Sequence, residues 1–207
     1  MALMPRAGTE FAGYRLVWVV SKGDTSTLFL AEDPYLGAVI ALKLLDGPLA
    51  DGDASRARFL EESSIAASLN HPNVIPVHDI GWSDGLLYIA MRCVTGTDLR
   101  QLLKEHARLA ADQSVLLIGQ AARALDTAHR HGLVHRGVKP ANLLVEPGAD
   151  GSGPGHLYVT DFGITRQPAD LTGMSGTLDY LAPSKFAAFR RAEPRTSTRS
   201  AACCTSA

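Results

Sequence analysis

The chain has 207 residues, enough for one substantial domain with a buried core or for two small ones. With 46% hydrophobic residues, 20% charged residues and a formal net charge of -1, it carries no overall charge that would draw it to nucleic acid or an anionic membrane. No run reaches the roughly 18 uninterrupted apolar residues of a membrane helix, and the opening MALMPRAGTEFAGY lacks a signal-peptide core. Three cysteines, Cys93, Cys203 and Cys204, give neither a disulfide framework nor zinc-site spacing, so a reducing cytoplasm is the expected setting.

From Tyr14 to about Val94 the pattern is strand-like. YRLVWVV, STLFLAED, AVIALKLL, IPVHDIGW and GLLYIAMRCV are short, rich in β-branched and aromatic residues, and bounded by Gly, Asp or Pro. One helix interrupts them, over 55–70, where Phe59, Ile65, Ala66 and Leu69 fall near a 3.6-residue repeat before Asn70, His71 and Pro72 stop it. These elements predict a small, mostly antiparallel sheet with one helix against it.

After Val94 the period changes. TDLRQLLKEHARL reads as a helix, and a longer one follows with Asp112 as its expected N-cap and Val115, Ile118, Ala122 and Leu125 on one face, ending at Gly132. Two short strands, ANLLV and HLYVTDFG, flank the turn EPGADGSGPG. Residues 184–207, dominated by Ser, Thr, Ala and Arg, are expected to be a disordered tail.

IALK at 40–43, Glu62 on the first helix, HRGVKPAN at 135–142, DFG at 161–163 and GTLDYLAP at 176–183 stand in an order that resembles the protein kinase family. The likeness is to the eukaryotic-like serine/threonine kinases of bacteria, and it covers residues 10–183. It implies an α+β, bilobal fold. Residues 10–94 would form a small antiparallel β lobe with one helix, and 95–183 an incomplete, mainly helical lobe, with a hinge near Met91 to Gly96. The family's remaining helices have no counterpart in 184–207, so the resemblance describes a truncated member.

The resemblance also assigns chemistry. ATP and Mg²⁺ are the implied cofactors, with a protein substrate or partner that the sequence does not name. Lys43 would hold the α- and β-phosphates, paired with Glu62, while Glu61 beside it is an alternative; Asn142 and Asp161 would hold Mg²⁺ through hard oxygen ligands. Lys139 would neutralise the transferring phosphoryl group. Ser21, Gly23, Leu28, Ala41 and Val94 fall at ATP-binding positions, with the backbone of 92–94 facing the adenine edge and Met91 behind it; Leu28 reads equally well as strand core. Thr172, Ser175 and Thr177 are candidate phosphosites, with Arg136 as the partner of such a phosphate, or else polar residues of a loop.

Three departures set this chain apart. The glycine-rich loop reads SKGDTSTL, in which only Gly23 is kept, and Asp24 would repel a triphosphate by about 1 kcal/mol at contact in water. Gly137 stands where the family has the aspartate that orients the substrate hydroxyl and accepts its proton. Ser184 follows LAP in place of glutamate. The leading expectation is therefore a catalytically impaired, ATP-binding pseudokinase; the alternatives are an active kinase of low activity and a non-enzymatic interaction module.

Overall fold

Short apolar strands joined by tight turns make most of the first half of the chain a sheet, and burial alternates residue by residue along Ser26–Asp33. The computed structural model describes residues 3–23, 26–45, 53–148 and 153–162. All of them belong to the unit Met1–Thr165, and a second unit, Arg166–Ala207, lies outside the described residues. Asp24, Thr172, Ser175, Thr177, Ser184 and the 184–207 segment are therefore outside them too.

Six strands, β1 (Glu10–Phe11), β2 (Tyr14–Lys22), β3 (Ser26–Asp33), β4 (Ala38–Leu45), β5 (Val77–Ser83) and β6 (Leu86–Arg92), form one antiparallel sheet in the order β1-β2-β3-β4-β6-β5. In β3 and β4, Phe29, Ala31, Ile40, Leu42 and Leu44 point to one face, where they join Leu16, Tyr88 and Ala90 in a core. Leu28, Ala41 and Lys43 point the other way. On that side a second core gathers Phe59, Ile75, Leu87, Ile89, Met91 and Tyr158.

Helix α1 (Asp53–Ser68) keeps the expected inward face with one exchange. Phe59, Ala66 and Leu69 are buried as the spacing predicts, but Ile65 is exposed and Ser63, only 2% exposed, takes the inward position. Residues 59, 63 and 66, four and three apart, form a true helical stripe, and Ile65 lies off it.

Helix α2 (Leu99–His106) is capped by Asp98, whose carboxylate accepts the Gln101 amide at 2.9 Å. Helix α3 (Ala111–Arg130) starts two residues earlier than expected: Ala110 is its N-cap, and Asp112 sits in the first turn, where its charge still faces the positive end of the helix. The expected apolar face is also corrected. Val115 (74% exposed), Ile118 (58%) and Ala122 face outward, Leu125 packs partly buried against the core as expected, and Leu117, Ala121, Ala124 and Ala128 are buried. Four consecutive apolar residues, 115 to 118, give the helix two apolar stripes, and the one carrying small alanines allows close approach to β9.

A second sheet, β7 (Thr97–Asp98), β8 (Leu143–Pro147) and β9 (Pro154–Val159), lies between these layers in the order β7-β8-β9. Leu143, Val145, Leu157 and Val159 pack toward α3, whereas Leu144 and Tyr158 join the core under the six-stranded sheet. The strand expected from 141 starts at Leu143, because Pro140–Asn142 form a 3₁₀ turn opened by proline. Asn73 ties the layers together: its Nδ2 donates to Gln120 Oε1 at 2.8 Å and to the Leu157 carbonyl at 2.9 Å.

Candidate functional site

The register of the large sheet places Ser21, Leu28 and Lys43 in one cross-strand row, Ser21 opposite Leu28 and Leu28 opposite Lys43. Gly23 lies just beyond, its amide donating to the Ser26 carbonyl at 2.8 Å across the loop. The lysine therefore leaves the sheet on the face opposite the first core, amid residues that bury most of its side chain.

Lys43 Nζ lies 2.7 Å from Asp161 Oδ1, with the two side chains 16% and 17% exposed. This is not the pairing the sequence suggests. Glu62 is bound instead to Arg136, Nη1 to Oε1 at 3.4 Å, on the partly exposed side of α1. Each cation takes the carboxylate that its own backbone element places within reach, and for Lys43 that is the less exposed one. Arg136, expected to await a phosphate, is thus engaged by Glu62.

The 135–142 loop is tightly bonded. Asn142, nearly buried, donates from Nδ2 to the Gly137 carbonyl at 2.9 Å, its amide donates to the Lys139 carbonyl at 2.9 Å, and its carbonyl accepts the Thr160 amide at 3.0 Å. The Gly137 amide donates to His135 Nδ1 at 3.3 Å. His135 is 1% exposed and its ring stands 4.8 Å from that of Phe162; burial holds its pKa below the usual histidine value. Arg136 and Asp161 have φ of 60° and 67°, left-handed conformations that non-glycine residues adopt at a cost. Lys139 is half-buried beside them.

Across the cleft, Ala41, Val94 and Leu144 are partly buried against the same core as Met91. Leu144 is a site residue that the sequence reading missed, although alternation in ANLLV sets it opposite to Leu143 and Val145. Thr160, whose hydroxyl lies 3.8 Å from Met91 Sδ, was also missed, because only the fold brings residues 69 positions apart together. Behind Asp161 and Phe162 a cavity of about 20 Å³ is lined by Ser63, Ala66, Ile75, Ile80 and Met91, room for about one water.

A sheet carrying a lysine, a hairpin-borne carboxylate that meets it, and an asparagine-anchored loop beneath define a bilobal, protein-kinase-like molecule. The protein kinase domain model matches residues 14–197, and the chain belongs to that family. It is 37% identical over 188 residues to the serine/threonine-protein kinase PknD of Mycobacterium tuberculosis, covering 88% of this chain and 27% of that kinase. It is 40% identical over 182 residues to PknJ of Mycobacterium bovis, covering 88% of this chain and 30% of the relative. The crystal structure of the Mycobacterium tuberculosis PknI kinase domain matches with a TM-score of 0.70 and 36% identity, over 79% of this chain and 65% of that one. The chain thus spans less than a third of the length of these two curated relatives. The family binds ATP, uses a divalent metal and is one of serine/threonine phosphotransferases. Among the described residues no helix is long and apolar enough to cross a membrane.

Proposed function

We propose that the chain is an ATP-binding serine/threonine kinase domain that keeps its phosphate and metal positions and is impaired in phosphotransfer, a pseudokinase. One observation carries this reading: the 135–142 loop is held in place, Asn142 Nδ2 bonded to the Gly137 carbonyl, around a residue that has no side chain. An aspartate at 137 would orient the substrate hydroxyl and take its proton. Losses of this kind cost about 10²- to 10⁴-fold in rate. Ser21 and Ser26, where glycines would let phosphate approach the backbone, and Asp24, whose charge repels a triphosphate, weaken nucleotide binding as well.

The donor set fits Mg²⁺. Asp161 offers a carboxylate, and Asn142, its amide nitrogen committed to the loop, would offer its amide oxygen; both are hard donors of the type that leave further positions to phosphate and water. Bound there, the ion would neutralise charge on the phosphate oxygens. Lys43 would meet the α- and β-phosphates, Lys139 the transferring group, and the backbone of 92–94, with Ala41 above and Leu144 below, the adenine ring. We assign residues 10–94 to the small lobe and 95–183 to a partial large lobe, and place the protein in the cytoplasm, acting on or with a protein of undefined identity.

Gly137→Asp tests the reading. Gly137 is not among the glycines with positive φ, so its backbone accepts an L side chain. Phosphotransfer from labelled ATP should rise about 10²- to 10⁴-fold in the variant. No gain, with ATP still bound, would contradict it. A second reading, slow but genuine kinase activity, is favoured by the retention of Lys43 and Lys139, since a largely dissociative transfer asks little of a base; a wild-type rate within tenfold of Gly137→Asp would select it.

A further inference from the structure

Arg92 ends β6, and its backbone belongs to the large sheet: it is registered opposite Ile40, and its amide donates to the Pro76 carbonyl at 2.9 Å. Its side chain leaves that sheet for the other one. The Nη2 atom lies 3.2 Å from Glu146 Oε1 on β8, and the guanidinium carbon stands 5.1 Å from the ring centroid of Tyr158 on β9. Tyr158 is itself fixed. Its ring is buried, its hydroxyl lies 3.5 Å from Glu146 Oε2, and the His156 ring packs 4.5 Å away while His156 Nε2 lies 2.8 Å from the Pro72 carbonyl. Burial, then the Glu146 charge, push the phenol pKa up, so it remains a donor.

These anchors lie on one surface with the cleft floor. Glu146 is two residues along β8 from Leu144, and Leu144 is registered opposite Tyr158, so Leu144, Glu146 and Tyr158 share a face. The other end of the hinge is held too. A Cβ on Gly96 would come 2.1 Å from the Val145 carbonyl, so only glycine lets the chain lie this close to β8. Residues 92–96 are pinned to the smaller sheet at both ends, by a side chain at 92 and by backbone contact at 96.

We infer that Arg92 is a positioning residue for the nucleotide base: its grip on Glu146 and Tyr158 sets the spacing between the 92–94 backbone and Leu144, and with it the fit of the adenine ring. This rests on the ATP-binding reading above. A half-exposed ion pair alone does little, but a guanidinium over a buried ring adds to it, and together they set an expected effect of about 5- to 20-fold in affinity.

The test is calorimetric titration of the full chain, in Mg²⁺, with ATP and with purine riboside triphosphate, which lacks the 6-amino group. Arg92→Ala should weaken ATP binding about 5- to 20-fold and narrow the preference for ATP over the analogue, with Arg92→Lys intermediate because it keeps the charge and loses the planar stack. Glu146→Gln should add little to the loss in Arg92→Ala. Unchanged ATP affinity in Arg92→Ala, or equal losses for both nucleotides, would overturn the inference while leaving ATP binding intact. A wild-type chain that binds neither nucleotide would overturn both.

Discussion

On the proposed phosphate side of the cleft, Lys43 and Asp161 meet at 2.7 Å and Asn142 is bonded into its loop; on the proposed acceptor side, position 137 contributes only backbone and its neighbour Arg136 is engaged by Glu62. Both sides hang on the same scaffold, since Asn142, the proposed metal ligand, donates from Nδ2 to the Gly137 carbonyl. The difference teaches that loop shape and loop chemistry are separable. Hydrogen bonds from Asn142 Nδ2 and to His135 Nδ1 hold the loop at Gly137, and on the proposed reading they do so without the proton acceptor.

The strongest way to break this contrast is to supply the missing group, which is the Gly137→Asp gain stated above. Next in size is the scaffold itself. Leu117→Ala should destabilise the chain by about 2 to 4 kcal/mol in denaturant titration, whereas Ile118→Ala, on the outward stripe of α3, should stay within about 0.5 kcal/mol. Comparable losses would mean that the outward stripe is also covered.

Smaller effects sharpen the two sides separately. Lys43→Ala should weaken ATP binding by about tenfold or more, while Glu62→Gln, which removes charge from a carboxylate paired with Arg136, should change it by less than about threefold. A Glu62→Gln loss as large as that of Lys43→Ala would show that nucleotide draws Glu62 across to Lys43. The smallest effect is with pH. His135 and His71 are held below the ordinary histidine value of 6.5, chiefly by burial and for His71 also by Arg123 and Arg130. They stay neutral when folded and gain protons when unfolded, so stability is full above about pH 6.5 and falls as pH drops toward the folded-state values. Urea midpoints at pH 7.5 and 5.5 check this, and a flat or rising midpoint on acidification would contradict it.

Much of the fold is legible in local pattern. β3 and β4 occupy the residues of STLFLAED and AVIALKLL, because both are short, largely apolar runs bounded by Gly, Asp or Pro. The helix faces are not legible in the same way. In α3 the run 115 to 118 is apolar throughout, so period alone cannot choose a stripe, and the choice falls to packing against β9. In α1 a serine lies inside and an isoleucine outside, which no hydropathy rule anticipates. At the site, the residue types of Lys43, Asn142 and Asp161 can be read from their motifs, but their pairing cannot. The Lys43–Asp161 contact joins residues 118 apart, and the Arg92–Glu146 contact residues 54 apart. Which carboxylate a cation reaches depends on how two sheets meet, a property held by no short segment.

The most direct measurement compares the unmodified chain with Lys43→Ala and Gly137→Asp: titration with Mg²⁺ and ATP, followed by phosphotransfer from labelled ATP to a generic protein acceptor. Saturable ATP binding that Lys43→Ala weakens, with phosphotransfer at least a hundredfold below that of Gly137→Asp, is the predicted result. Robust turnover by the unmodified chain, abolished by Lys43→Ala, would show that the acceptor side is not impaired.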